Sequence, residues 1–400
     1  MRHTTVAVGV TLLAHSAHAI FQSPLKFSKD GTFQISIFED LHFGENSWEA
    51  WGPAQDTKSV AVLSSVLNAE SRPNLVVLNG DLITGENTFL ENSTAYLDEI
   101  VAPLVARGLP WASTYGNHDS QFNLSSTALL ARENRYRNSL TRSMVPGREA
   151  GVTNYYLPVY DSGFRWPWSA PKLLLWFFDS RGGSYFQEHD GEGNEVPRPN
   201  WVDESVVRWF RRTNNALTAR WRRTIPSLVF VHIPTNASRA AQTEDGIGQY
   251  TEPGINDDYA LAQQGEGWCE DGTNDNEECP YGGQDTAFMQ ALVDIPGILG
   301  VFSGHDHGDT WCYKWDTQIP GMSIKGNGVN LCFGQHSGYG GYGNWIRGAR
   351  QVLVSEEALK RGELDTWIRL EDGGVVGAVE LNATYGEDLY PATPNDKTYL

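Results

Sequence analysis

Ile298-Leu299-Gly300-Val301-Phe302-Ser303, followed at once by Gly304-His305-Asp306-His307, is the stretch on which the fold turns. Six largely apolar residues read as a buried strand, and the run stops at a glycine and two histidines. Upstream segments repeat the design. The run 33–38 leads to Asp40-Leu41-His42, 75–79 to Gly80-Asp81, and 110–115 to Gly116-Asn117-His118-Asp119, while 227–232 closes on His232. In an open α/β sheet, ligands bind outside the carboxyl ends of the strands. Five strand ends here deliver aspartate, asparagine or imidazole groups, the ligand types suited to Zn, Fe or Mn.

Between these runs, and a further apolar one at 172–179, lie segments with helical spacing at 55–69, 91–107, 126–139, 203–218 and 284–294. The alternation predicts a β-α-β-α-β first half with a largely parallel, doubly covered sheet. After residue 310 the pattern changes to short strands near 329–333, 350–354, 365–370 and 375–381, which reads as a second sheet. No repeat or linker separates independent domains, so residues 20–400 form a single unit. An insertion at about 240–285 carries twelve carboxylates and no Lys or Arg. It reads either as a solvated loop stapled by Cys269–Cys279 or, because it follows His232 directly, as a lid or selectivity wall over the strand-end residues.

The 400 residues hold 49 acidic and 30 basic side chains, a formal net charge of −19. That charge turns polyanions away and excludes a nucleic-acid polymer as a bulk partner. Residues 1–19 have an Arg near the start, an apolar stretch and an Ala-His-Ala ending, and so read as a secretory signal peptide. No later run approaches the roughly 18 to 20 apolar residues of a membrane span. Sequons at Asn92, Asn123, Asn236 and Asn382 fit export and glycosylation. The cysteines Cys269, Cys279, Cys312 and Cys332 allow three disulfide pairings, of which proximity favours Cys269–Cys279 with Cys312–Cys332. Zinc binding is the rival reading, but no C-x-x-C pair exists. Of the ten histidines three fall in the signal peptide, and five of the remaining seven sit at strand ends. The other two are His189, in a polar loop, and His336, which opens a glycine-rich turn running to Tyr342.

The series Asp40-x-His42, Gly80-Asp81, Gly116-Asn117-His118-Asp119, His232 and Gly304-His305-Asp306-His307 resembles the signature of the calcineurin-like metallophosphoesterase superfamily. The text around it, FEDLHFGENSWEAWGPAQD, LVVLNGDLITGEN and QHSGYGGYGNW, resembles purple-acid-phosphatase-like proteins of fungi and plants. The resemblance implies a four-layer α/β-β/α sandwich of two mixed sheets and two metal ions. One ion would take Asp40, His42, Asp81 and His307; the other would take Asp81, Asn117, His232 and His305, with Asp81 bridging. His118 would assist the leaving group, and Asp119 would orient its ring. True purple acid phosphatases place glycine where this chain has His42, and tyrosine where it has Thr84. Without that phenolate, Fe, Zn and Mn are all admissible. The implied activity is hydrolysis of phosphate monoesters, small or protein-borne, through a hydroxide bridging the metals. A phosphodiesterase acting on nucleotides or small diesters is the alternative, and a secreted metal-binding protein without turnover is a second one.

Overall fold

The computed structural model of the chain describes residues 24–70, 72–165, 169–275 and 279–400, so the signal peptide read at 1–19 lies outside the described residues. Its elements run β1 (Leu25–Lys26), β2 (Thr32–Phe38), α1 (Trp51–Ala69), β3 (Leu75–Asn79), α2 (Tyr96–Arg107), β4 (Trp111–Thr114) and α3 (Ser126–Glu133). Next come β5 (Tyr155–Tyr160), β6 (Leu173–Phe178), β7 (Ser184–His189), β8 (Glu195–Pro197), α4 (Glu204–Trp221), β9 (Ser227–Val231), α5 (Asn236–Ala240) and α6 (Thr286–Asp294). The chain finishes with β10 (Ile298–Ser303), β11 (Cys312–Trp315), β12 (Val329–Phe333), β13 (Gly348–Ser355), α7 (Glu356–Arg361), β14 (Leu364–Leu370) and β15 (Val375–Leu381).

Two mixed sheets face each other. One has the order β15-β14-β13-β2-β3-β4 and the other β1-β5-β6-β9-β10-β12-β11. Within the first, β2, β3 and β4 are parallel and joined through α1 and α2, the β-α-β-α-β unit the alternation predicts. In the second, β6, β9, β10 and β12 are parallel. The strands after residue 310 do not build a sheet of their own. Instead β11 and β12 extend the second sheet, while β13, β14 and β15 return to the first, where β13 runs antiparallel beside β2.

The unbroken apolar runs follow from burial on both faces of each sheet. Leu75, Val77, Ile35 and Ile37 of the first sheet meet Leu173, Leu175, Phe177 and Phe230 of the second in a shared core. Their neighbours Val76 and Leu78 point the other way, onto Leu63 and Val66 of α1 and Ile100 of α2. Likewise Leu174, Trp176 and Phe178 pack on Val206 and Phe210 of α4 and Phe288 of α6. A period of two in strands thus gives helix, sheet, sheet and helix layers.

The acidic insertion is not a solvated loop throughout. Leu261, Gln263 and Gln264 are fully buried, and Asn256 forms a bridge to Asp309. The structure pairs Cys269 with Cys279, inside that segment, and Cys312 with Cys332, across neighbouring strands.

Candidate metal centre

Each ligand-type side chain stands where a strand has just ended. The turns after β2, β3 and β4 carry Asp40 and His42, Asp81, and Asn117 and His118. Those after β9 and β10 carry His232, and His305 with His307. To turn side chains toward a common point, the backbone leaves the extended conformation. Asp40, His42, Asp81 and His305 all adopt positive φ, at 53°, 49°, 48° and 75°, a region non-glycine residues occupy at a cost of about 1–2 kcal/mol. Gly80, with φ 96°, lies where a Cβ would come within 2.4 Å of His232 Nδ1. Only glycine lets that backbone pass under the imidazole.

Two clusters result. Asp40, His42 and His307 hold ligand atoms within 4.8 Å of one another, and so do Asp81, His232 and His305. Asp81 Oδ2 connects them, at 2.9 Å from His232 Nε2 and 3.9 Å from His42 Nε2. Asp40 Oδ1 lies 3.5 Å from His307 Nε2 and 3.8 Å from His232 Nε2. The far side of three rings is fixed by hydrogen bonds. His42 Nδ1 meets Thr84 Oγ1 at 3.2 Å, His232 Nδ1 donates to the Asn79 carbonyl at 2.9 Å, and His307 Nδ1 donates to the Tyr342 carbonyl at 2.8 Å. Such partners hold each ring so that Nε2 faces the centre, the orientation a metal-ligating histidine requires.

The electrostatics fit a cation. Burial opposes ionisation of Asp81, yet the charges of His232 and His118 hold its carboxyl well below the usual range. Burial also opposes charge on His232, but Asp81 and Asp40 push its pKa up to about 10. His305 goes the other way, down to about 3, through burial and then the charge on His232. Two buried carboxylates therefore draw positive charge into the centre. Asn117 Oδ1 is buried without any hydrogen-bond partner beside this donor set, an orphaned acceptor that a cation would satisfy. The residues present fit two metal ions.

His118 is partly exposed, with Nε2 4.0 Å from Asp81 Oδ2 and Nδ1 2.7 Å from Glu86 Oε1. Burial lowers its affinity for a proton, but Asp81 and the Glu86 hydrogen bond outweigh that and push its pKa up to about 9. The expected orienting role of Asp119 needs correcting. Both Asp119 oxygens are taken by backbone: Oδ1 accepts from Leu82 and Ile83, and Oδ2 accepts from Gly116. It therefore pins the turn after β3 to the turn after β4, and Glu86 holds the imidazole. Glu86 was not legible in the sequence, because a lone acid in a short turn carries no ligand spacing.

Tyr342 is a second addition. Its ring stacks on His307 at 4.0 Å, and its hydroxyl meets Asp258 of the acidic insertion and the His307 amide. The glycine-rich turn flagged at 336–342 thus abuts the centre. His336 packs its ring against His307 at 3.9 Å and bonds the Gly340 carbonyl. His189 is exposed at the surface, against Phe122. The sequon residues Asn92, Asn123, Asn236 and Asn382 are all partly exposed.

The chain is similar to several known proteins. The chain is 28% identical to "Probable inactive purple acid phosphatase 14" of Arabidopsis thaliana, across 89% of this chain and 85% of that protein. It is 25% identical to "Phosphatase DCR2" of Saccharomyces cerevisiae, across 86% of this chain and 55% of that one. Among solved structures, a dimetal phosphatase from Danio rerio aligns over 88% of this chain and 98% of its own, with a TM-score of 0.49 and 15% identity. The family described as calcineurin-like phosphoesterase matches residues 37–309, a span that takes in every strand-end turn of the centre. With two sheets, two His/Asp clusters and that match together, the chain belongs to the calcineurin-like phosphoesterase family.

Proposed function

We propose that the protein is a secreted phosphoesterase that hydrolyses phosphate monoesters at a centre of two metal ions. The observation that carries this reading is the position of Asp81 Oδ2, 2.9 Å from His232 Nε2 of its own cluster and 3.9 Å from His42 Nε2 of the other, with the His118 imidazole beside it. Asp40, His42, Asp81 and His307 would hold one ion, and Asp81, Asn117, His232 and His305 the other. Bound there, the ions would supply Lewis acidity to water and to the phosphoryl oxygens. The chain's own part lies with His118. Glu86 Oε1 lies 2.7 Å from Nδ1 and its charge favours a protonated ring, whose Nε2 proton faces the centre. His118 donates it to the departing ester oxygen. Thr84, Asn79 and Tyr342 keep three ligand imidazoles from rotating.

The secretory reading of residues 1–19 is supported by two disulfides, which persist in oxidising compartments. Among the described residues no helix is long and apolar enough to cross a membrane. The words "probable inactive" in the plant relative's name favour a second reading, metal binding without turnover. One experiment separates the readings: elemental analysis of the purified protein beside hydrolysis of p-nitrophenyl phosphate and bis-p-nitrophenyl phosphate. Two metals per chain with preferential monoester hydrolysis is the expected result. Faster diester hydrolysis would make it a phosphodiesterase, and full metal occupancy with neither reaction would establish the inactive reading.

A further inference from the structure

A cavity of about 430 Å³ opens on the side of the molecule carrying α3, and none of its lining residues is a ligand of the metal centre. Arg198, just after β8, lines it and is only 6% exposed. Its guanidinium makes one side-chain hydrogen bond, from Nη1 to Ser120 Oγ at 2.8 Å, and among the described residues it has no carboxylate partner. Of the other buried arginines, Arg347 donates to the Trp345 and Gly343 carbonyls. Arg350 donates to three oxygens, and Arg181 has Asp203 at 3.8 Å besides two carbonyls. A buried guanidinium without a counter-charge is costly, and an anion offsets that cost.

The rest of the wall is suited to such an anion. The first turn of α3 contributes Ser126 and Thr127, so the positive end of the helix faces the cavity. Arg148 stands at the rim, stacked on Tyr185 and already paired with Glu188 at 2.7 Å. The charge left uncompensated is therefore that of Arg198. A planar guanidinium, hydroxyls and a helix N-terminus together make a phosphate receptor.

We propose that this cavity is a second anion site that binds a phosphate group, separate from the metal centre. It also touches the centre's framework. Ser120 ends the turn that carries Asn117 and His118, and the Arg198 amide donates to the Gly183 carbonyl, where a Cβ would lie 2.0 Å from the Ser120 carbonyl. Occupancy of the cavity thus bears directly on the turn that presents Asn117. The proposal does not rest on the phosphoesterase reading, because binding is measured without turnover.

Calorimetric titration of inorganic phosphate into the metal-loaded protein, at constant ionic strength, tests it. Thr127→Glu places a carboxylate in the cavity and, being exposed in the first turn of a helix, leaves α3 favoured. Arg198→Met removes the buried charge. The expected result is that one phosphate site of the parent weakens by at least about tenfold in each variant, with metal content and far-UV circular dichroism unchanged in Thr127→Glu. Identical titrations in the parent and Thr127→Glu overturn the proposal, whether or not Arg198→Met folds. Kinetics with singly and doubly phosphorylated peptides then identify the source. A lower KM for the doubly phosphorylated peptide, lost in Thr127→Glu, assigns the site to a substrate phosphate; equal KM values with the calorimetric site retained in the parent assign it to free phosphate.

Discussion

His42 and Thr84 occupy the two positions at which purple acid phosphatases carry glycine and tyrosine, and in this fold they touch, Nδ1 to Oγ1 at 3.2 Å. The two departures therefore sit together: a small hydroxyl that meets the outer nitrogen of His42 stands where those enzymes carry tyrosine. The neighbouring pair, His118 and Glu86, invites a kinetic test. His118→Asn should lower kcat by about 10²- to 10⁴-fold, the scale of a lost general acid. Glu86→Gln keeps an acceptor but loses the charge, and should lower kcat by about 10- to 100-fold. Both variants should retain parental metal content by elemental analysis; an unchanged kcat in Glu86→Gln would remove Glu86 from the mechanism. Asp119→Ala belongs to stability instead. Three buried backbone N–H groups lose their acceptor, so chemical denaturation should show a loss of about 2–4 kcal/mol. The candidate ligand residues were legible because each interrupts an apolar run at a strand end. Glu86 was not, since what recruits it is a neighbour distant in sequence, and of Tyr342 only the glycine-rich turn was legible, not the His307 ring on which it stacks.

At the scale of elements, α1 is tied to the turn after β2 through Asp56, whose two oxygens both face the Gly44 amide at 3.2 Å. Burial, and then the nearby charges of Glu99 and Glu45, push this carboxyl up to about 7 against the lowering effect of that amide. A raised carboxyl binds its proton more tightly in the folded than in the unfolded chain, so its contribution is full below about pH 4 and is lost as pH rises toward 7. Asp56→Asn removes that dependence. The melting temperature of the parent minus that of the variant should therefore fall between pH 4 and 7; a flat difference would show that Asp56 does not titrate there. The long helices were readable from their spacing, but α3 ends at Glu133 although helical spacing continues to 139. Glu133 is fully buried and accepts from Trp111 Nε1, Ser113 Oγ, Tyr115 OH and Ser139 Oγ, and the chain must leave the helix to bring Ser139 to it. Pro158 similarly hid β5, which pairs antiparallel with β6 and has only the two-residue β1 on its other side.

Across the whole molecule, the sequence pattern conveyed two sheets but not how the last strands divide between them. Local periodicity identifies a strand; which sheet it joins depends on partners far along the chain. Asp40, His42, Asp81 and Asn117 follow strands of one sheet, whereas His232, His305 and His307 follow strands of the other. Each ion would thus be gripped from both sides of the sandwich. Removing the ions with a chelator should lower the melting temperature, by mass action of a ligand that binds only the folded state. Scanning calorimetry before and after chelation, and after restoring Mn, Zn or Fe, checks this; identical melting curves would mean that no ion is held. Because the donors come from opposite sheets, bound ions would behave as rivets through two plates, resisting shear and splaying at the carboxyl edge. A member of this fold that turns over nothing has a mechanical reason to keep its ligands, and one that is catalytic loses stiffness and turnover together when its ions leave.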